Sequence, residues 1–159
     1  MGVLEKLSRL IAGGEVAARY AAVEALTQCY IECTQRARRL ARHADLAPQE
    51  FSAAALKELA TAEEAQAGRL HDALRAAEAE VPNVPDAPPL PGALNLWARL
   101  VQDLEAHRAS TRRLRELAVH FAESLPTTAA VFDELCREES VHCERLRTLI
   151  ARADPQALD

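Results

Sequence analysis

Residues 135–149 read LCREESVHCERLRTL, and their spacing predicts an α-helix with one inward face. Positions at intervals of three and four residues form a single stripe along such a helix. These positions are Phe132, Leu135, Glu139, His142, Leu146 and Leu149. A carboxylate and an imidazole therefore lie together in the middle of an apolar face. Because an isolated buried charge is costly, we expect the two groups either to satisfy each other or to bind a metal.

The composition favours helices and excludes several classes of partner. Apolar residues make up 49% of the 159 residues and aromatic residues only 4%, and this balance, with abundant alanine, favours close-packed helices over sheets. A net charge of −5 without a basic tail argues against nucleic acid as a partner. No apolar run approaches the ~20 residues of a membrane span, so no membrane insertion is expected.

The positions of the cysteines and of the arginines predict the environment of each. Four cysteines fit neither a disulfide framework nor a C-x-x-C metal motif, which favours a reducing cytoplasm and a role as small core residues. Arginines cluster at Arg36, Arg38, Arg39 and Arg42, and again at residues 108–115. Both clusters are expected to be solvated helix faces.

Breaks in the helical pattern define the elements. We predict a short helix at residues 3–11, closed by Gly13 and Gly14, and long helices at 15–43, 49–80, 93–124 and 127–153. The second and third long helices are separated by VPNVPDAPPLPG, residues 81–92, which holds five of the eight prolines. As polyproline II this segment would span roughly 35 Å, most of the length of a long helix.

The proline-rich segment therefore predicts the topology. A long crossover of this kind makes helices 1 and 2 antiparallel, and likewise helices 3 and 4, in one four-helix bundle. A domain boundary at residues 81–92 is the alternative. Each half alone would be a helical hairpin with an open face, so we expect a single all-α domain over residues 1–159.

An internal repeat relates the two halves. Residues 53–70 align without gaps with residues 129–146, and this alignment places Glu63 on Glu139 and Gln66 on His142. The first and third helices also align, with Val23-Glu24-Ala25 over Leu104-Glu105-Ala106. Each half then supplies one lone glutamate and one Glu-x-x-(His/Gln) pair, which is the plan of a di-iron bundle with carboxylates from all four helices.

In LKELATAEE and VFDELCREESVHCERLRTLI the chain resembles the rubrerythrin branch of the ferritin-like superfamily. The resemblance covers about residues 15–153 and is most specific in the last helix. It implies that Glu63 and Glu139 bridge or chelate iron, that His142 binds one iron, and that Glu24 and Glu105 are terminal ligands. Glu32 is the alternative to Glu24, and His107 is either a further ligand or an ordinary core histidine.

Two features depart from that family. Gln66 stands where the family has its second histidine, and a carboxamide is a poor iron ligand, so a symmetric di-iron site is in doubt. The rubredoxin module is absent from this sequence, so electrons would come from a separate donor.

Two functions are consistent with these patterns. The first is a metal-binding redox protein, holding one or two irons or manganese, that reduces peroxide or oxygen or oxidises ferrous iron as a homodimer or larger homo-oligomer. The second is a bundle that keeps the fold without the metal and serves as an interaction or assembly module.

Overall fold

The fold is a bundle of four long α-helices. The computed structural model describes residues 3–86 and 94–153, with side chains from residue 13 onward. The described helices are α1 (Val3–Asp45), α2 (Glu50–Ala76), α3 (Leu96–Phe121) and α4 (Pro126–Arg152). Among the described residues no helix combines the length and the apolar character that a bilayer span requires.

Two apolar clusters fill the two ends of the bundle and fix its topology. One cluster joins residues 22–33 in the middle of α1 and the C-terminal half of α2 to the C-terminal half of α3 and the N-terminal half of α4. The other joins the C-terminal end of α1 to the N-terminal halves of α2 and α3 and the C-terminal half of α4. Helices α1 and α2 are therefore antiparallel, α3 and α4 are antiparallel, and α2 runs parallel to α3, which confirms the predicted arrangement.

The segment after α2 runs back along the bundle, because α2 ends where α3 also ends. Glu78 adopts a positive φ of 57°, which stops α2 and redirects the chain. Val81 packs against the first apolar cluster, and farther along the Arg38 guanidinium donates to the carbonyl oxygens of Val84 and Pro85 at 3.1 and 3.3 Å. The last part of the predicted 81–92 crossover, from residue 87 on, lies outside the described residues.

The separate N-terminal helix predicted at residues 3–11 is wrong. Helix α1 continues from Val3 to Asp45, and Gly13 and Gly14 lie inside it without a positive φ. Each glycine costs about 1 kcal/mol relative to alanine in a helix, which weakens the helix without ending it. Residues 13–21 are almost all exposed, and Ala22 is the first core residue among the described side chains of α1.

Candidate metal centre

Four ligand-type side chains meet in the middle of the bundle. They come from three helices and are Glu63, His107, Glu139 and His142, exposed by 0, 0, 0 and 5%. One nitrogen or oxygen atom from each lies within 4.8 Å of the others. The carboxylates of Glu63 on α2 and Glu139 on α4 are therefore buried and close together in the middle of the bundle.

Helix periodicity explains why these groups converge. Glu139 and His142 are three residues apart, so α4 presents both on one face. The pair lies between two leucines of the same stripe. Glu63 and His107 occupy matching inward positions on α2 and α3. Apolar clusters cover the centre on both sides along the bundle axis, which keeps the polar groups in a low-dielectric layer.

Each imidazole is bound to one carboxylate oxygen. His142 Nδ1 lies 3.0 Å from Glu63 Oε1, and His107 Nδ1 lies 2.7 Å from Glu139 Oε2. An ionised Glu63 carboxylate only accepts hydrogen bonds, so His142 donates to it from Nδ1. His107 Nε2 is buried without a protein partner among the described residues.

Arg36 binds the remaining oxygen of each carboxylate. Its Nε donates to Glu63 Oε2 at 3.0 Å and its Nη2 donates to Glu139 Oε1 at 2.8 Å, with only 8% of the side chain exposed. Burial alone would raise the pKa of Glu63. The Arg36 charge and the hydrogen bond from His142 outweigh that effect and hold this pKa well below its ordinary value of 4.5.

The expectation that the first arginine cluster is a solvated face is therefore wrong for Arg36. A guanidinium three residues after the core residue Cys33 can lie on the same inward face, and the two buried carboxylates compensate its charge. That spacing was the only signal in the sequence. It could not identify Arg36, because Arg38, Arg39 and Arg42 surround it with residues that look alike.

Cys33 and Gln66 flank the carboxylates near Arg36. The Cys33 thiol donates to the backbone oxygen and to Oε2 of Glu63, both at 3.2 Å. Burial and the Glu63 charge raise the pKa of Cys33, so it remains a thiol. Gln66 is buried and donates from Nε2 to Glu138 Oε2 at 3.1 Å, so its amide nitrogen already has a hydrogen-bond partner.

The expected convergence of Glu24 and Glu105 on the centre is wrong. Both are exposed, and Glu105 pairs with Arg108 on the surface of α3. Each lies off the inward stripe of its own helix, and helix phase rather than the local match between the two tripeptides sets which way a side chain faces. Glu32, the alternative, is half-buried and pairs with Arg113. His107 takes the helix 3 position that had been assigned to Glu105.

Comparison with known proteins supports the fold. No protein-family model and no curated protein matches the sequence. Among solved structures, two of bacterioferritin BfrA from Mycobacterium tuberculosis match with a TM-score of 0.72 each at 17% and 18% identity, covering 80% and 82% of this chain and 81% and 84% of theirs. The fold is thus a four-helix bundle like that of these bacterioferritins, which confirms the expected fold class.

A bacterioferritin from Rhodobacter capsulatus matches as well. Its TM-score is 0.74 at 22% identity, with 86% of this chain and 89% of that chain covered. The structure of that protein has a metal-free dinuclear site and a heme iron. These identities establish a common fold, and the chemistry of the present centre is argued from its own residues.

The donor set fits one metal ion better than two. Carboxylate oxygens and imidazole nitrogens are the donors that iron and manganese accept, and two of each converge here. On the other side of the carboxylates lie the Arg36 guanidinium, the Cys33 thiol and the Gln66 amide, whose nitrogen already donates to Glu138. None of these three groups is a good ligand for a hard divalent cation.

Proposed function

We propose that this chain is a ferritin-like metal-binding protein whose centre takes one transition-metal ion, iron in the first place and manganese as the alternative. The observation that carries the proposal is the buried meeting of Glu63, His107, Glu139 and His142 within 4.8 Å. Two carboxylates with two neutral imidazoles form a ligand set suited to such an ion. A metal bound through Nδ1 would require each neutral imidazole to carry its proton on Nε2 instead, so that Nδ1 offers its lone pair to the ion.

Bound iron would supply one-electron redox chemistry towards peroxide or oxygen, or towards ferrous iron as substrate. The chain itself fixes the donors. A cavity of about 10 Å³, lined in part by Cys33, Arg36 and Gln66, lies on the Arg36 side of the cluster. That volume is close to the minimum for one water molecule.

The remaining properties belong to the same proposal. The chain acts as a single domain over residues 1–159, assembles as a homodimer or larger homo-oligomer, and works in the cytoplasm. A redox function draws electrons from a separate donor. All four cysteines are free and buried, which is consistent with a reducing compartment.

A second candidate function is a metal-free bundle that acts as an interaction module. One observation favours it. Arg36 already bridges Glu63 and Glu139, so the buried carboxylates are charge-compensated by the chain itself. A bundle of this kind needs no metal to fold.

Metal content separates the two candidates. Protein purified from cells supplemented with iron or with manganese is analysed for metal per chain, in the wild type and in two matched variants. His142→Ala removes a proposed ligand, whereas His43→Ala removes another fully buried histidine that contacts Asp103. We expect one ion per chain in the wild type and in His43→Ala, and none in His142→Ala. Absence of metal from all three after anaerobic loading with Fe²⁺ would favour the interaction module.

A further inference from the structure

We infer that the Arg36 guanidinium occupies the position of a second cation, so that it restricts the centre to one metal ion. This inference deepens the proposed metal-binding function and rests on it. Three observations support it: the division of the carboxylate oxygens, the charge of the buried cluster, and the side chains that surround the guanidinium.

The carboxylate oxygens divide into two sets. Glu63 directs Oε1 to His142 Nδ1 and Oε2 to Arg36 Nε. Glu139 directs Oε2 to His107 Nδ1 and Oε1 to Arg36 Nη2. A carboxylate that bridges two cations also gives one oxygen to each. Here one side of both carboxylates meets imidazoles, and the other side meets a single guanidinium with two parallel N–H donors.

Charge limits the number of additional cations. Two carboxylates and one guanidinium leave a single negative charge on the buried cluster. One divalent ion on the imidazole side would change the net charge of the cluster from −1 to +1. A second divalent ion beside Arg36 would place several unpaired positive charges in a region with almost no solvent, which is strongly unfavourable.

The neighbours of Arg36 also discourage a metal at that position. The Cys33 thiol donates to the same oxygen of Glu63 that Arg36 contacts. Gln66 offers only a carboxamide, and its nitrogen is bound to Glu138. A metal ion at this position would have to displace Arg36. Its good ligands would then be one oxygen from each of the two carboxylates.

The test replaces the guanidinium and counts ions. Mn²⁺ is the probe, because it binds oxygen and imidazole donors and its EPR spectrum distinguishes isolated ions from coupled pairs. Four proteins are compared: the wild type, Arg36→Lys, Arg36→Gln, and the double variant Arg36→Gln/Gln66→His. Stoichiometry comes from equilibrium dialysis, and circular dichroism follows the thermal unfolding of each protein with and without Mn²⁺.

We expect the wild type and Arg36→Lys to bind one Mn²⁺, because both retain a positive charge beside the carboxylates. Arg36→Gln should bind its first ion at least about tenfold more tightly, since a neighbouring positive charge is removed from a buried site. The double variant should bind two ions, which give a coupled EPR signal. Its melting temperature should rise with Mn²⁺ by more than that of the wild type.

The outcomes separate this inference from the proposed function. Two Mn²⁺ ions in the wild type would overturn the inference and leave metal binding intact. A folded double variant with one ion and unchanged affinity would also overturn it. No ion in the wild type but one or more in Arg36→Gln would reject the proposed function and also overturn the restriction to one ion, since the guanidinium would then exclude every ion.

Folding of the variants is part of the same test. If Arg36→Gln is unfolded without metal, recovery of its helical signal on addition of Mn²⁺ supports the inference. Failure to refold at saturating Mn²⁺, or absence of metal from every protein, counts against it.

Discussion

Two buried ionic clusters lie about one turn apart along α1. In the candidate metal centre, Arg36 meets Glu63 and Glu139. In the other, which we call the Asp103 cluster, Arg39 Nε lies 2.8 Å from Asp103 Oδ1 and His43 Nδ1 lies 2.5 Å from Oδ2. Asp103 and His43 are fully buried. Both clusters thus hold a carboxylate between an arginine of α1 and an imidazole.

The clusters differ in the number of carboxylates for each guanidinium. Asp103 has one partner for each oxygen, and one arginine compensates its charge. The metal centre has two carboxylates, from α2 and α4, for one arginine, and a pair of imidazoles faces the remaining oxygens. The same three residue types therefore make a self-contained structural pair in one place and a potential cation site in the other.

Removing the carboxylate should have the largest effect and should distinguish the clusters. Glu139→Ala removes the carboxylate that Arg36 and His107 both contact. Asp103→Ala likewise removes the carboxylate that Arg39 and His43 both contact. Breaking a buried pair costs roughly 3–5 kcal/mol, so both variants should lose about that much free energy of unfolding in urea. Only Glu139→Ala should also lose the increase in melting temperature that Mn²⁺ gives the wild type. Loss of this increase in Asp103→Ala would show that the two clusters act as one site.

Acid should destabilise the metal-free protein through Glu63. Its pKa in the folded state lies below the ordinary value of 4.5, so the unfolded chain takes up a proton first as the pH falls. The stabilisation is complete well above pH 4.5 and decreases as the pH falls below that value. For one proton the slope is at most about 1.4 kcal/mol per pH unit. Urea unfolding between pH 7 and 3 measures it, and Glu63→Gln should flatten the profile. An equal slope in wild type and variant would assign the acid sensitivity to other groups.

Exposed glutamates should give the smallest effect. Glu24→Gln and Glu105→Gln alter side chains at the surface, and surface changes are usually within about 0.5 kcal/mol. Metal per chain should equal that of the wild type. A loss of metal in either variant would mean that its carboxylate reaches the centre in another conformation of the protein.

Helix periodicity predicted most of the fold and three of the four ligand-type side chains that converge. The stripe through Glu139 and His142, its repeat at Glu63, and the proline-rich crossover were sufficient because they depend on local spacing and chain length. Arg36 and His107 could not be assigned in this way. Whether a polar side chain on a helix is solvated or buried depends on which charges the other helices present, and those contacts join residues 27 to 103 positions apart.

The assignment of Glu24 and Glu105 failed for a different physical reason. It followed a match between two tripeptides and not the inward stripes of the first and third helices. Those stripes pass through Cys33 and His107, and both residues are buried beside the carboxylates. Asp103 also lies on the stripe of α3, four residues before His107, so the pattern contained the signal for the Asp103 cluster.

The buried thiols offer a way to measure how often the core opens. Burial raises the pKa of Cys29 to about 11 and raises that of Cys33 further, and both side chains are almost inaccessible. Reaction with an alkylating reagent needs an exposed thiolate, so it must wait until the helices separate. The labelling rate of Cys33 would then measure how often the centre opens. If a metal ties α2, α3 and α4 together, the same rate should fall when that metal is bound.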